Sequence, residues 1–132
     1  MRIYKLKAFT RFARKERITG KALRQAVNEA QTNPTADLGG GVIKQRVARP
    51  GEGKSGGYRT LIALRSERRA VFLHGFAKKD ADNVTPKHLA LLKRLAAYYL
   101  ESTDEQVEGL VDGGELTEVT DDEEDESDED GS

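Results

Sequence analysis

The spacing of apolar residues changes twice along the chain, and these changes limit the possible folds more than any other feature. Helical spacing predicts helices over residues 8–16, 21–31 and 86–100, with a weaker one over 103–111. Alternating or continuous apolar runs predict strands over residues 2–7, 42–47, 58–64, 70–76 and 115–119. The predicted order is β-α-α-β-β-β-α, followed by a C-terminal helix and an edge strand.

Local signals place the ends of these helices. Thr19 is a suitable N-cap for the second helix, and Pro34 ends it, because proline disfavours helical geometry in the residue before it. Thr85 is the expected N-cap of the helix over 86–100, with Pro86 at its first position. His88 lies in the first turns of that helix, where we expect a surface residue.

The fold class that follows is α+β, with an antiparallel-rich sheet packed against helices. Residues 58–64 and 70–76 form a predicted hairpin, and residues 49–57 (RPGEGKSGG) a predicted glycine-rich basic loop. We expect the two N-terminal helices to cover one face of the sheet. The opposite face would then be free to hold a ligand.

Charge divides the chain into a basic body and an acidic tail. All 22 lysine and arginine residues lie between Arg2 and Arg94, and only seven acidic residues share the first hundred positions, a net charge of +15. The other 16 acidic residues follow, and residues 121–132 contain no apolar residue. Such asymmetry favours a nucleic-acid-binding domain over residues 1–119 and a disordered acidic tail over 120–132.

Composition excludes several other classes of protein. The chain has no cysteine, so it holds no disulfide framework and no thiolate metal site. Charged residues interrupt the N-terminal segment, and no apolar run approaches the ~20 residues of a membrane span. We expect a cytoplasmic protein that does not enter the membrane and needs no metal or other cofactor.

Three segments carry a resemblance to a known family. They are residues 37–65 (with GKSGGYR), 70–83 (with GFAKK) and 89–100, supported by residues 4–18 and 113–119. In this combination the chain resembles toxins of the RelE/ParE superfamily, and within it the HigB-like branch. The resemblance implies a RelE-like fold and a ribosome-dependent endoribonuclease that cleaves translated mRNA in the ribosomal A site. It also implies a helix-turn-helix antitoxin as the partner.

The resemblance also assigns site residues. Lys44 and Arg46 correspond to basic active-site residues on one strand, Arg59 to the arginine of the next strand, and Lys78 and Lys79 to a basic pair after the last. Two positions depart from the family: Thr85 stands where a tyrosine stacks near the cleaved nucleotide, and His74 where close relatives have tyrosine. The residues expected in catalysis are Arg46, Arg59, Lys79 and Lys44, and those expected to contact RNA are Arg49, Lys54, Lys78 and Phe76.

Chemistry gives these residues separate roles. Cleavage without a metal requires a deprotonated 2′-OH, a stabilised phosphate charge and a protonated 5′ leaving oxygen. Preorganised cations supply much of such catalysis, and arginine binds phosphate through two parallel hydrogen bonds. Arg46 and Arg59, on neighbouring predicted strands, are therefore the expected phosphate clamp.

The general base stays open among Lys44, Lys79 and His74. A lysine serves if neighbouring cations lower its pKa, whereas histidine titrates near pH 6.5 without help. Strand alternation puts His74 on one face with Phe72 and Phe76, so a role in the core is equally consistent. Cations of the first helix are either contacts to ribosomal RNA or a solvated helix face (Arg11, Arg14, Lys15, Arg17).

Two other functions compete with mRNA cleavage. A ParE-like toxin directed at DNA gyrase shares the fold but typically lacks the basic active-site cluster. A non-catalytic module would engage nucleic acid and an antitoxin without cutting, and the departures at Thr85 and His74 keep that reading open.

Overall fold

The computed structural model describes residues 1–49, 53–65, 68–77 and 84–120, and of residues 53–56 only the backbone. Lys78, Lys79 and residues 121–132 of the acidic tail lie outside the described residues. The elements, in chain order, are β1 (Arg2–Leu6), α1 (Lys7–Glu16), α2 (Gly20–Thr32), β2 (Ala36–Gly39), β3 (Val42–Arg49), β4 (Gly53–Leu64), β5 (Arg69–Ala77), α3 (Pro86–Glu101), α4 (Asp104–Asp112) and β6 (Leu116–Glu118).

The strands form one sheet in the order β2-β3-β4-β5-β1-β6. Among the described strands, β1 and β5 pair in parallel and the other neighbouring pairs are antiparallel. The predicted α+β class, the antiparallel-rich sheet and the β4–β5 hairpin are confirmed, and so is the C-terminal edge strand.

One hydrophobic core lies between the sheet and the first two helices. The Thr19 side chain accepts a hydrogen bond from the Ala22 N–H at 3.1 Å, which confirms it as the N-cap of α2. The buried side of α1 and α2 carries the apolar residues that the helical spacing selects (Phe9, Ala13, Leu23, Ala26, Val27, Ala30). They pack on the sheet residues of the same face, among them Ile43, Ile62 and Phe72.

A second core occupies the other face, where the sequence predicted free surface. Leu92, Ala96 and Tyr99 of α3 and Val107 of α4 are buried against strand residues (Val42, Leu61, Ala63, Val71, Leu73). The expectation that this face is free is therefore wrong for most of its area, because α3 also has an apolar stripe that must be buried. Lys44, Arg46, Arg59 and His74, which lie on this face, are not completely buried.

A buried arginine fixes the junction between α3 and α4. The Nη1 atom of Arg69 donates to the carbonyl oxygens of Tyr99 at 2.7 Å and Ser102 at 2.8 Å, and its Nη2 atom donates to Asp104 Oδ1 at 2.8 Å. The side chain of Arg69 is only 4% exposed. Because the carbonyls at a helix end have no partner within the helix, the guanidinium satisfies them and ties α3 to β5.

Two local features depart from the sequence prediction. Residues 36–39 form a strand, β2, that was not predicted; positive φ angles at Gly40 (64°) and Gly41 (84°) allow the tight turn into β3. The predicted loop over 49–57 is wrong in part, because β3 extends to Arg49 and β4 begins at Gly53. A Cβ atom at Gly57 would lie 2.1 Å from the carbonyl oxygen of Val47, so glycine there permits the close approach of β3 and β4.

Within the residues that the structure describes, no helix has both the length and the apolar character needed to cross a membrane.

Candidate nucleic-acid interface and active site

The strand register aligns the predicted site residues in two rows on the α3 side of the sheet. Arg46 of β3 pairs with Arg59 of β4, and Arg59 pairs with Phe76 of β5. In the next row, Lys44 pairs with Leu61, and Leu61 with His74. We call the surface formed by Lys44, Arg46, Arg59 and His74 the cationic face. The structure thus brings together three of the four residues expected in catalysis.

Arg46 and Arg59 are directly opposite each other on neighbouring strands. This arrangement lowers the folding stability of the sheet. Directly opposed side chains have Cβ atoms about 4.5–5.5 Å apart, and like charges at that spacing destabilise a sheet. The described strands β3, β4 and β5 contain no aspartate or glutamate to offset the repulsion. An anion bound between the two guanidinium groups would remove it.

Arg59 has an unusual local environment. Its Nη1 atom is buried and has no hydrogen-bond partner in the described part of the chain. Buried polar groups in native proteins are nearly always paired, and each exception requires an explanation. A donor held in this way is preorganised for an acceptor that arrives with a ligand, such as a phosphate oxygen.

A β-bulge decides which face His74 occupies. The register between β4 and β5 shifts so that Leu61 pairs with His74 while the next residue, Ile62, pairs with Phe72. Leu73 is the extra residue, and Leu73 and His74 consequently lie on the same face. The predicted alternation is wrong in this respect: Phe72 packs in the core with α1 and α2, whereas His74 shares its face with Phe76 and the arginines.

His74 meets His88 at the start of α3. The ring centroids are 5.0 Å apart and the rings are nearly perpendicular, at 78°. Burial lowers the pKa of His74, and the neighbouring His88 lowers it further. His88, which we expected at the surface, is half-buried. Its backbone N–H donates to Thr85 Oγ1 at 3.1 Å, which fixes the first turn of α3.

The residues expected to contact RNA are not all on the cationic face. The Arg49 guanidinium lies 5.5 Å from the centre of the Tyr58 ring, and Tyr58 belongs to the core on the opposite face. Phe76 is on the cationic face but is only 8% exposed. Only the backbone of Lys54 is described, and Lys78 and Lys79 lie outside the described residues. The roles of these five residues stay predictions.

A groove beside Arg46 has no counterpart in the sequence analysis. Its volume is about 450 Å³, and it is lined by polar residues from the end of α2 and from β3 (Glu29, Thr32, Asn33, Pro34, Thr35, Gln45, Arg46). The Thr35 N–H donates to Gln45 Oε1 at 3.1 Å and the Arg46 N–H to Thr35 Oγ1 at 3.3 Å, so the segment before β2 is held against β3. No sequence motif marks such a groove, because its residues meet only through tertiary packing.

The part of the chain that the structure describes contains no group of three or more His, Asp or Glu side chains arranged to hold a metal ion.

Comparison with known proteins gives one match. The model of the family described as "RelE toxin of RelE / RelB toxin-antitoxin system" matches residues 1–119. No curated protein matches the chain, and no solved structure does.

Proposed function

Because the chain belongs to the RelE toxin family, and is thus the toxin of a toxin–antitoxin system, we propose that it is a ribosome-dependent endoribonuclease of the HigB-like branch. Its substrate would be translated mRNA, cut in the ribosomal A site, and its effect the arrest of translation. Toxins of this family are generally endoribonucleases. The observation that carries the proposal is the opposed pair Arg46 and Arg59, which includes a buried donor with no partner among the described residues.

The positions of the cations on this face support the proposed cleavage reaction. The O2′ atom of the RNA attacks phosphorus and the P–O5′ bond breaks, which leaves a 2′,3′-cyclic phosphate. Arg59 and Arg46 hold the non-bridging phosphate oxygens from adjacent strands, where their charge opposes the charge that develops. Lys44, one row away, adds to the same field.

Three residues are candidates for the general base in this proposal. Lys44 and His74 both lie on the cationic face, and Lys79 follows β5 in the sequence. A lysine accepts the 2′ proton only in its neutral form, whereas the unperturbed pKa of histidine already lies in the range that general acid–base catalysis needs.

The family and the proposed reaction each imply partners. Membership of a toxin–antitoxin family implies an antitoxin. We propose that this antitoxin has a helix-turn-helix domain, that the ribosomal A site holds the substrate, and that the protein works in the cytoplasm. Arg49, Lys54, Lys78 and Phe76 would contact the RNA without taking part in the proton transfers.

A second candidate function is a non-catalytic binding module. It is favoured by Thr85, which replaces the tyrosine that family members place near the cleaved nucleotide, and which here caps α3 through the His88 N–H. Such a protein would bind RNA through the cationic face without cutting it.

Primer extension on translated mRNA separates the candidates. Breaks within codons that disappear in Arg59→Ala support the endoribonuclease. Gyrase-linked DNA breaks without mRNA cleavage would support a ParE-like toxin. Neither kind of break, combined with RNA binding, would support the non-catalytic module.

A further inference from the structure

The two histidines of this chain come together at the edge of the cationic face. The sequence contains only two, His74 and His88, separated by 13 intervening residues. The bulge in β5 directs His74 to the α3 side, and the Thr85 cap fixes His88 in the first turn of α3, so their rings meet at 5.0 Å.

This pair lies next to the phosphate clamp. His74 is two residues from Phe76, the cross-strand partner of Arg59, so His74 and Arg59 are diagonal neighbours on one face. Such neighbours lie about 7–8 Å apart. A phosphate group bound by Arg59 would occupy much of that gap, which brings a ribose 2′-OH within reach of the imidazole.

The surroundings of His74 favour its neutral form. The described titratable groups that share its face are Arg59 on β4, Lys44 and Arg46 on β3, and His88 on α3. No aspartate or glutamate lies on β3, β4 or β5, and the only one on α3 is Glu101 at its far end. Positive neighbours and partial burial therefore both disfavour an imidazolium.

We propose that His74 is the general base of the cleavage reaction and that His88 is a positioning residue that keeps His74 neutral and oriented. This inference rests on the proposed endoribonuclease function. The 2′-OH proton passes to the free ring nitrogen of His74 as the O2′–P bond forms. The O5′ atom leaves with a proton from a water molecule, and the resulting hydroxide takes the proton from His74, which restores the neutral base.

Imidazole ¹⁵N NMR tests the coupling of the two rings without RNA. Because the chain has only two histidines, the wild-type spectrum contains two ring systems and His88→Gln leaves that of His74 alone. We expect His74 to titrate below pH 6.5 in the wild type and its midpoint to move upward in His88→Gln. An unchanged midpoint would overturn the role of His88.

The pH dependence of mRNA cleavage tests the role of His74. We expect His74→Gln to lose about 10²-fold or more in rate, the usual contribution of a general base. His88→Gln should shift the acid limb of the rate profile to higher pH, in parallel with the NMR midpoint. A loss of packing alone would not shift that limb.

The outcomes separate this inference from the function on which it rests. If the wild-type protein does not cleave translated mRNA, the proposed function fails, and the NMR titration still reports whether the rings are coupled. If the wild type cleaves and His74→Gln cleaves equally fast with the same pH profile, only the acid–base inference fails. The amide spectra of His74→Gln and His74→Asn check that each variant is folded; a rate loss in both folded variants supports the proposal.

Discussion

Arg59 lies directly opposite Arg46 on the neighbouring strand. Its Nη1 atom is buried and has no hydrogen-bond partner within the described residues. Replacing it with methionine keeps most of its aliphatic volume and removes both the buried donor and the like-charge contact. We predict that Arg59→Met leaves the free energy of unfolding unchanged or raises it by about 1 kcal/mol. Urea denaturation measures this; a loss of more than about 2 kcal/mol would mean that Arg59 has a structural role.

The lowered pKa of His74 makes the free energy of unfolding depend on pH, and the direction of that dependence can be worked out. Its pKa is lowered in the folded protein by burial and by His88. Between that pKa and the unfolded value of about 6.5, the unfolded chain binds more protons, so stability falls as the pH falls.

We therefore predict that wild-type protein loses stability as the pH is lowered below about 6.5, and that His74→Gln loses less. Chemical denaturation across this range, at constant ionic strength, measures the difference. Equal pH dependence in the two proteins would contradict the depressed pKa.

At the residue scale, sequence and family resemblance identified the cationic residues but not their geometry. Lys44, Arg46 and Arg59 are recognisable because they alternate on amphipathic strands that match a family pattern. The face of His74 was not predictable, since one bulged residue reverses the alternation after Leu73. His88 carries no signal of its own, because it contacts β5 only through packing of α3.

Among the secondary-structure elements, the junction of α3 and α4 depends on one buried guanidinium. Arg69 satisfies the carbonyls of Tyr99 and Ser102, whereas the side chain of its neighbour Arg68 is largely exposed and donates to Asp104 Oδ1 at 3.2 Å. We predict that Arg69→Met lowers the free energy of unfolding by about 2–4 kcal/mol, since it leaves buried acceptors without donors.

Arg68→Met is the matched control, because it removes the same charge one residue away. Its expected effect is within about 0.5 kcal/mol, as for an exposed ion pair. Urea melts of both variants test the difference; similar losses would show that charge, rather than satisfaction of the helix end, stabilises the junction.

Most helices and strands were predictable, and the exceptions have physical causes. Long segments such as α3 and most of β4 can be predicted from the spacing of their apolar residues. The glycine-rich start of β4 cannot be predicted in this way, because glycine usually indicates a turn. In this protein, glycine at position 57 allows β3 and β4 to pack closely. Strand β2 has only four residues and depends on pairing with β3.

Over the whole molecule, the segregated charge predicts salt-dependent binding. Residues 1–100 carry a net charge of +15, and residues 121–130 carry nine acidic side chains. A tethered polyanion competes with RNA phosphates at an effective concentration in the millimolar range, and salt screens that competition.

We predict that deleting residues 121–130 strengthens binding to a 2′-O-methylated RNA at low ionic strength and has little effect at high ionic strength. A tail of equal length, with amides in place of the carboxylates, is the control and should behave like the deletion. Equal affinity of the intact and deleted proteins at low salt would refute the competition.

We propose that the opposed arginines on the cationic face take part in cutting mRNA on the ribosome. Single-turnover cleavage of an mRNA held with a defined codon in the A site tests it most directly, comparing wild type with Arg59→Met and Arg65→Met. Arg65 is a suitable control because its side chain is 50% exposed and it lies six residues from Arg59 along the chain, about 20 Å in an extended strand.

We predict cleavage within the A-site codon by the wild type, a rate lower by about 10²–10³-fold in Arg59→Met, and a rate within a few-fold of wild type in Arg65→Met. Undiminished cleavage by a folded Arg59→Met variant, or no cleavage by the wild type, would contradict it.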